Sequence, residues 1–64
     1  MLTLREIREN AQLRQEDVAK KLLVDQSAVS NWERGTAKPL TKYRKKLARI
    51  YKVPLSELEA AIGG

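Results

Sequence analysis

The chain has 64 residues, which is enough for one small domain and too few for two, so we expect residues 1–64 to form a single domain. It contains no Cys and no His, which excludes disulfides, thiolate or imidazole metal sites and histidine-based acid–base catalysis. Thirteen Lys and Arg residues against eight Asp and Glu residues give a formal net charge of +5, which favours a polyanionic partner such as nucleic acid.

The basic residues are concentrated in one part of the chain. Eight of them and no acidic residue lie between Arg34 and Lys52, so the remaining sequence is net acidic. A contact surface for a polyanion and an ordinary solvated face both explain such a run of positive charge.

The sequence indicates neither a membrane segment nor an enzyme. No apolar run approaches the ~20 residues of a membrane span, and the N-terminus lacks the apolar core of a signal peptide. The acidic residues are spaced as helix-surface partners of lysine, and none of them is grouped with a glycine loop or a nucleophile. We therefore expect a soluble cytoplasmic protein with no enzymatic activity, no cofactor and no metal.

Apolar residues recur at helical spacing and nowhere alternate convincingly with period two, so the sequence predicts an all-α fold of five short helices. The first helix opens at Thr3, because Thr3 and Glu6 have the spacing of a capping box. Leu4 and Ile7 then lie on the face expected to be buried.

The second helix is predicted to begin near Gln15. Glu16 and Asp17 suit the positive end of its dipole, and each is followed four residues later by a lysine, Lys20 and Lys21, with which it can pair. The residues expected to be buried are Val18, Ala19 and Leu22. Of these, the small Ala19 suits a close crossing with the next helix.

The third helix is predicted to start after Asp25, a good N-cap residue, and to end at Gly35, which takes a left-handed conformation without penalty. Val29 and Trp32 lie three residues apart and are expected in the core. The outward side of this helix is then polar and consists of Gln26, Ser27, Ser30 and Asn31.

The fourth helix is predicted from about Thr41 to Tyr51, and Pro54 must interrupt the helical pattern after it. Ser56 and Glu59 have the spacing of a second capping box, which would start the fifth helix. The residues expected inward on the fourth helix are Tyr43, Leu47, Ile50 and Tyr51. The fifth helix carries Leu58, Ala61 and Ile62, which either contribute to dimerisation or, for Leu58 above all, pack onto the core of the same chain.

The second and third helices carry a recognisable motif. The pattern Gln-x-x-Leu-Ala-x-x-x-Gly-Val-Ser-x-x-x-Val-Ser-x-Trp-Glu-x-Gly is typical of Cro/CI-type (XRE-like) helix-turn-helix regulators of bacteria and phages. This chain resembles that family from Leu4 to about Leu58, and its helix-turn-helix would occupy residues 15–34. The residues that match the pattern are Gln15, Ala19, Val24, Val29, Ser30, Trp32, Glu33 and Gly35. The resemblance implies a compact, lambda-repressor-like DNA-binding domain.

The resemblance also assigns roles to polar residues. It implies base contacts in the major groove for Gln26, Ser27, Ser30 and Asn31, and the glutamine and asparagine amides can donate to and accept from adenine simultaneously. It implies a grip on the DNA backbone for Gln15, at a helix N-terminus that favours phosphate. Further phosphate contacts are predicted for Arg14, Arg34, Thr36, Lys38 and Lys42, although an ordinary polar surface would have the same composition.

Two further predictions concern structure. Glu33 adjoins Trp32 and needs a partner if it is buried, and the family pattern makes that partner Arg8.

Leu23 and Lys52 stand where the family usually has glycine. If the backbone at these two residues is left-handed, each residue destabilises the fold by on the order of 1 kcal/mol relative to glycine. Otherwise the turns have a different conformation from those of the family. Thr41 and Arg44 also depart from positions that are usually apolar.

The predicted function is that of a sequence-specific double-stranded DNA-binding transcription regulator, most simply a repressor that inserts its third helix into an operator. A homodimer over two half-sites is expected, because one such small domain discriminates poorly. The alternative is an antitoxin-like or adaptor module with the same fold, whose partner would be a toxin or an anti-repressor.

Overall fold

The computed structural model describes residues 2–63 and confirms the all-α prediction. Within that range there are five α-helices and no strand. The helices are α1 (Leu4–Asn10), α2 (Gln15–Leu22), α3 (Gln26–Arg34), α4 (Thr41–Tyr51) and α5 (Leu55–Ile62).

Every helix contributes to one apolar core. The buried residues are Leu4, Ile7, Val18, Ala19, Leu22, Val29, Leu47, Ala48, Tyr51 and Leu58. Burial of an aliphatic side chain of this size contributes roughly 1.5–3 kcal/mol, so these residues supply most of the force that holds α3 in place. Ala19 is only 4% exposed, as expected for a small residue beneath a closely packed helix.

The start of α1 agrees with the sequence and the start of α5 does not. Thr3 Oγ1 accepts from the Glu6 N–H at 3.1 Å, and Glu6 Oε1 accepts from the Thr3 N–H at 2.9 Å, so the first capping box is confirmed. The second is wrong, because α5 already begins at Leu55 with Pro54 at the N-cap. Ser56 therefore lies inside the helix, two residues after the N-cap position.

Left-handed residues terminate four of the helices within the described range, and Gly63 does so for α5 with φ +87°. Gly35 ends α3 with φ +80°, as predicted. Leu23 ends α2 and Lys52 ends α4, each with φ 59°, so both non-glycine residues adopt the conformation for which the family uses glycine. Leu23 is 91% exposed, and its side chain therefore recovers little of the conformational cost by packing.

Candidate nucleic-acid interface

The orientation of α3 is set by its buried side. Val29 is 1% exposed, and the half-buried Trp32 ring lies against Tyr43 of α4, with the ring centroids 5.7 Å apart. The four predicted base-contacting residues lie outside the buried core and form the polar side of α3. Gln26 and Ser27 are exposed and Ser30 and Asn31 are half-buried.

Arg8 and Glu33 form an ion pair that joins α1 to the C-terminal part of α3. Arg8 Nε donates to Glu33 Oε2 at 2.6 Å and Nη2 donates to Oε1 at 3.2 Å, while Nη1 donates to the Leu13 carbonyl at 2.9 Å. The two side chains are only 10% and 7% exposed. Hydrogen bonding to Glu33 raises the pKa of Arg8 above its ordinary value. The pair predicted from the sequence is therefore present and nearly dry.

Glu33 also orients the glutamine at the start of α2. Gln15 Nε2 donates to Glu33 Oε1 at 2.9 Å, and Gln15 Oε1 accepts from Gln26 Nε2 at 3.4 Å. Arg8, Glu33, Gln15 and Gln26 thus form a continuous chain of hydrogen bonds, which we call the inner polar network. It leaves the Gln26 Oε1 and one of its Nε2–H groups available to a ligand.

A shallow cleft of about 390 Å³ opens beside this network. Its lining residues are Arg5, Arg8, Gln15, Glu33 and Arg34. Arg5 was not among the predicted site residues, although its place three residues before Arg8 puts the two on one side of α1. Arg5 pairs with Glu9 at 3.3 Å and remains exposed, so its guanidinium is accessible to an anion in the cleft.

Arg14, a predicted phosphate contact, is engaged with acidic neighbours. Its guanidinium lies 3.0 Å from Glu16 and 3.3 Å from Asp17. The Arg14 backbone N–H, followed by its side chain, lowers the pKa of Asp17. The predicted pairing of the two acids with Lys20 and Lys21 is wrong for the part of the chain described, because both acids lie in the first turn, where Arg14 is nearer.

The remaining predicted contacts follow the end of α3. Arg34 Nη2 donates to the Asn31 side-chain oxygen, and Thr36 Oγ1 donates to the Asn31 carbonyl at 3.3 Å. Both residues are exposed. They therefore lie at the same end of the polar side of α3, where the sequence predicts one base contact and two phosphate contacts.

The loop between α3 and α4 is tied to α5 by long basic side chains. Lys38 Nζ donates to the Gly63 carbonyl at 3.4 Å. Arg44 Nε donates to the Pro39 carbonyl at 2.8 Å, and its Nη1 lies 3.8 Å from Glu59. The departure at Arg44 from an apolar residue is explained by these contacts, which fix the loop that carries Lys38.

Lys42 lies at the beginning of α4 with its Nζ 5.1 Å from the centre of the Tyr43 ring. The lysine itself is exposed, and the Tyr43 ring also packs against Trp32. The Tyr43 ring thus lies between Lys42 and Trp32 of α3, while the Lys42 ammonium group stays accessible to solvent.

A comparison with protein-family models gives a match to the model described as Helix-turn-helix, over residues 4–58. The chain belongs to this family. It is a helix-turn-helix protein of the Cro/CI (XRE-like) type, a family of DNA-binding transcription regulators rather than of enzymes. Searches of curated proteins and of solved structures find no match to the chain. None of the helix-turn-helix protein's described helices is long and apolar enough to cross a membrane.

Proposed function

We propose that the chain is a sequence-specific double-stranded DNA-binding repressor that inserts α3 into the major groove of an operator. The observation that carries this proposal is the inner polar network, which joins the exposed Gln26 to the nearly dry pair of Arg8 and Glu33. A glutamine that is held in one orientation discriminates between base edges better than a freely rotating one.

Gln26 is the principal base-reading residue in this proposal. With one N–H donated to Gln15, its Oε1 accepts from adenine N6 and its second N–H donates to N7. Ser27, Ser30 and Asn31 read neighbouring positions from the same side of α3. Such bidentate contacts contribute roughly 1–3 kcal/mol of discrimination each.

Phosphate contacts position this reading helix. The second N–H of Gln15, the N-terminus of α2 and the exposed guanidinium of Arg34 would hold the DNA backbone on the two sides of the groove. The further residues proposed for backbone contact are Arg14, Thr36, Lys38 and Lys42. Arg14 would exchange its carboxylate partners for phosphate when DNA binds, since both of its ion pairs are solvent-exposed.

The proposed working form is a homodimer on DNA, acting in the cytoplasm of a bacterium or in a phage-infected cell. Residues 1–64 form one DNA-binding domain per copy, and two copies read half-sites about one helical turn apart. Occupation of an operator that overlaps a promoter excludes polymerase, which makes repression the simplest regulatory outcome.

The test is selection of bound sequences from a random pool of duplex DNA at physiological salt. We expect two related half-sites and a preference for the selected operator over bulk DNA of ~10³-fold or more. Titration of the isotope-labelled protein with that operator should move the amide signals of Gln26, Ser27 and Ser30. Recovery of no preferred sequence, or signal changes confined to the lysines of α4, would overturn the proposal.

A further inference from the structure

A second cleft lies between α2 and α4, away from the inner polar network. Its volume is about 360 Å³, and its lining residues are Lys21, Leu22, Lys46, Arg49 and Ile50. None of these residues lines the cleft beside Gln15. Lys21 is six residues along α2 from Gln15, a displacement of about 9 Å at the helical rise. We call this second site the α2–α4 cleft.

The rim of the α2–α4 cleft is cationic and uncompensated. Lys21, Lys46 and Arg49 are exposed, and no ion pair among residues 2–63 includes any of them. A concave surface lined by one sign of charge concentrates its field on an anionic ligand.

The floor of the α2–α4 cleft is apolar. Leu22 is a core residue at 4% exposure, and Ile50 is half-buried against the core. A phosphate backbone supplies anions but no apolar group to cover the exposed part of Ile50. A polypeptide segment supplies both, when acidic residues flank a leucine-like side chain.

We propose that the α2–α4 cleft binds an acidic segment of a partner protein. Carboxylates of that segment pair with Lys21, Lys46 and Arg49, and an apolar side chain between them covers the half-buried Ile50. The interaction is separate from DNA reading, since no residue of the cleft belongs to the polar side of α3. A partner bound there can therefore engage the protein while α3 lies in the groove.

The first test uses the isotope-labelled full chain and a capped ten-residue peptide of glutamates with two central leucines. Titration is expected to move the amide signals of Lys21, Leu22, Lys46, Arg49 and Ile50, and to leave those of Gln26 and Ser27 unchanged. A peptide of equal charge with serines in place of the leucines should bind about tenfold more weakly, because it cannot cover the apolar floor.

The second test compares two triple variants of equal charge. The cleft variant, Lys21→Gln, Lys46→Gln and Arg49→Gln, should bind the leucine peptide about tenfold more weakly while keeping its operator preference. The matched control, Lys20→Gln, Lys45→Gln and Lys52→Gln, removes neighbouring exposed lysines that do not line the cleft, and should change peptide affinity less than about threefold.

Several results would overturn the proposal. These are equal losses in the two triple variants, equal binding of the serine peptide, signal changes outside the cleft, and no binding of the leucine peptide. Displacement of that peptide by a random-sequence duplex, with movement of the same amide signals, would instead identify the cleft as a nucleic-acid surface.

Discussion

Two polar regions of this small protein are built in opposite ways. In the inner polar network each side chain has a named partner, and the ion pair at its base is nearly excluded from water. On α4, Lys45, Lys46 and Arg49 are exposed, and no hydrogen bond or ion pair within residues 2–63 involves their side chains.

The difference teaches how a chain this short divides its tasks. Discrimination between base edges requires donors and acceptors held at fixed positions, and under the proposed function the network would supply them before DNA binds. Attraction of an anionic partner requires only charge at roughly the right distance, so exposed basic side chains without fixed partners suffice. The buried residues consequently orient α3, and the basic residues remain at the surface.

The largest expected effect comes from breaking the base of the network. Arg8→Ala leaves the Glu33 carboxylate buried without its partner, and should lower the free energy of unfolding by about 3–5 kcal/mol in urea titrations. Arg5→Ala is the matched control, because its pair with Glu9 is exposed, and should cost less than about 1 kcal/mol.

A double variant separates the charge from the packing. Arg8→Met combined with Glu33→Leu removes both charges and fills similar space, and should regain most of the stability that Arg8→Ala loses. A loss below about 0.5 kcal/mol for Arg8→Ala alone would mean that the pair behaves as a surface contact and that the contrast between the two regions is false.

The next-largest effect distinguishes base-specific recognition from non-specific electrostatic attraction of DNA. Gln26→Ala should relax preference at one base position at a cost of roughly 1–3 kcal/mol, measured by competition between operator variants. Lys42→Ala should instead weaken binding to all sequences alike and reduce the salt dependence by about one counterion. Unchanged preference in Gln26→Ala would remove this glutamine from the reading set.

A smaller effect is expected at the turn that joins α2 and α3. Leu23→Gly relieves a left-handed leucine that is 91% exposed, and should raise the free energy of unfolding by about 0.5–1 kcal/mol after the entropy of glycine in the unfolded chain is subtracted. Leu23→Ala keeps the left-handed strain and should have no effect. Destabilisation by Leu23→Gly would show that the leucine packs in solution.

The smallest effect concerns acid pH. The pKa of Asp17 is lowered in the folded chain, so its contribution is present above its ordinary value of 3.8 and is lost as pH falls through the lowered folded value. Asp17→Asn should therefore reduce the melting temperature at neutral pH, and the difference from wild type should vanish in acid. Asp25→Asn is the control, because the Asp25 side chain caps no backbone group. A difference that persists in acid would contradict this assignment.

Much of the fold could be predicted from local rules. The capping box of Thr3, the glycine that ends α3 and the spacing of Val18 and Val29 each follow from the chemistry of one or two turns. The pairing of Arg8 with Glu33 spans 25 residues, and required the family pattern in addition.

The sequence could not determine which of two similar partners a side chain contacts. Asp17 can pair with a lysine one turn ahead or with Arg14 behind it, and only the geometry of the helix entry decides. Ser56 and Glu59 have the spacing of a capping box, but the helix begins before Ser56, at Leu55, with Pro54 at the N-cap. The hydrogen bond from Gln15 to Glu33 depends on how α2 and α3 cross, which no spacing encodes.

The neighbouring rings of Trp32 and Tyr43 give the protein an intrinsic optical reporter. Trp32 is the single tryptophan of the chain, and its indole lies 5.7 Å from the phenol ring of the neighbouring helix. Excitation energy absorbed by that tyrosine is therefore transferred efficiently to the indole in the native protein. When the helices separate, the transfer weakens and the tyrosine itself fluoresces. The ratio of the two emissions follows unfolding, and any rearrangement of α3 against α4, without a dye.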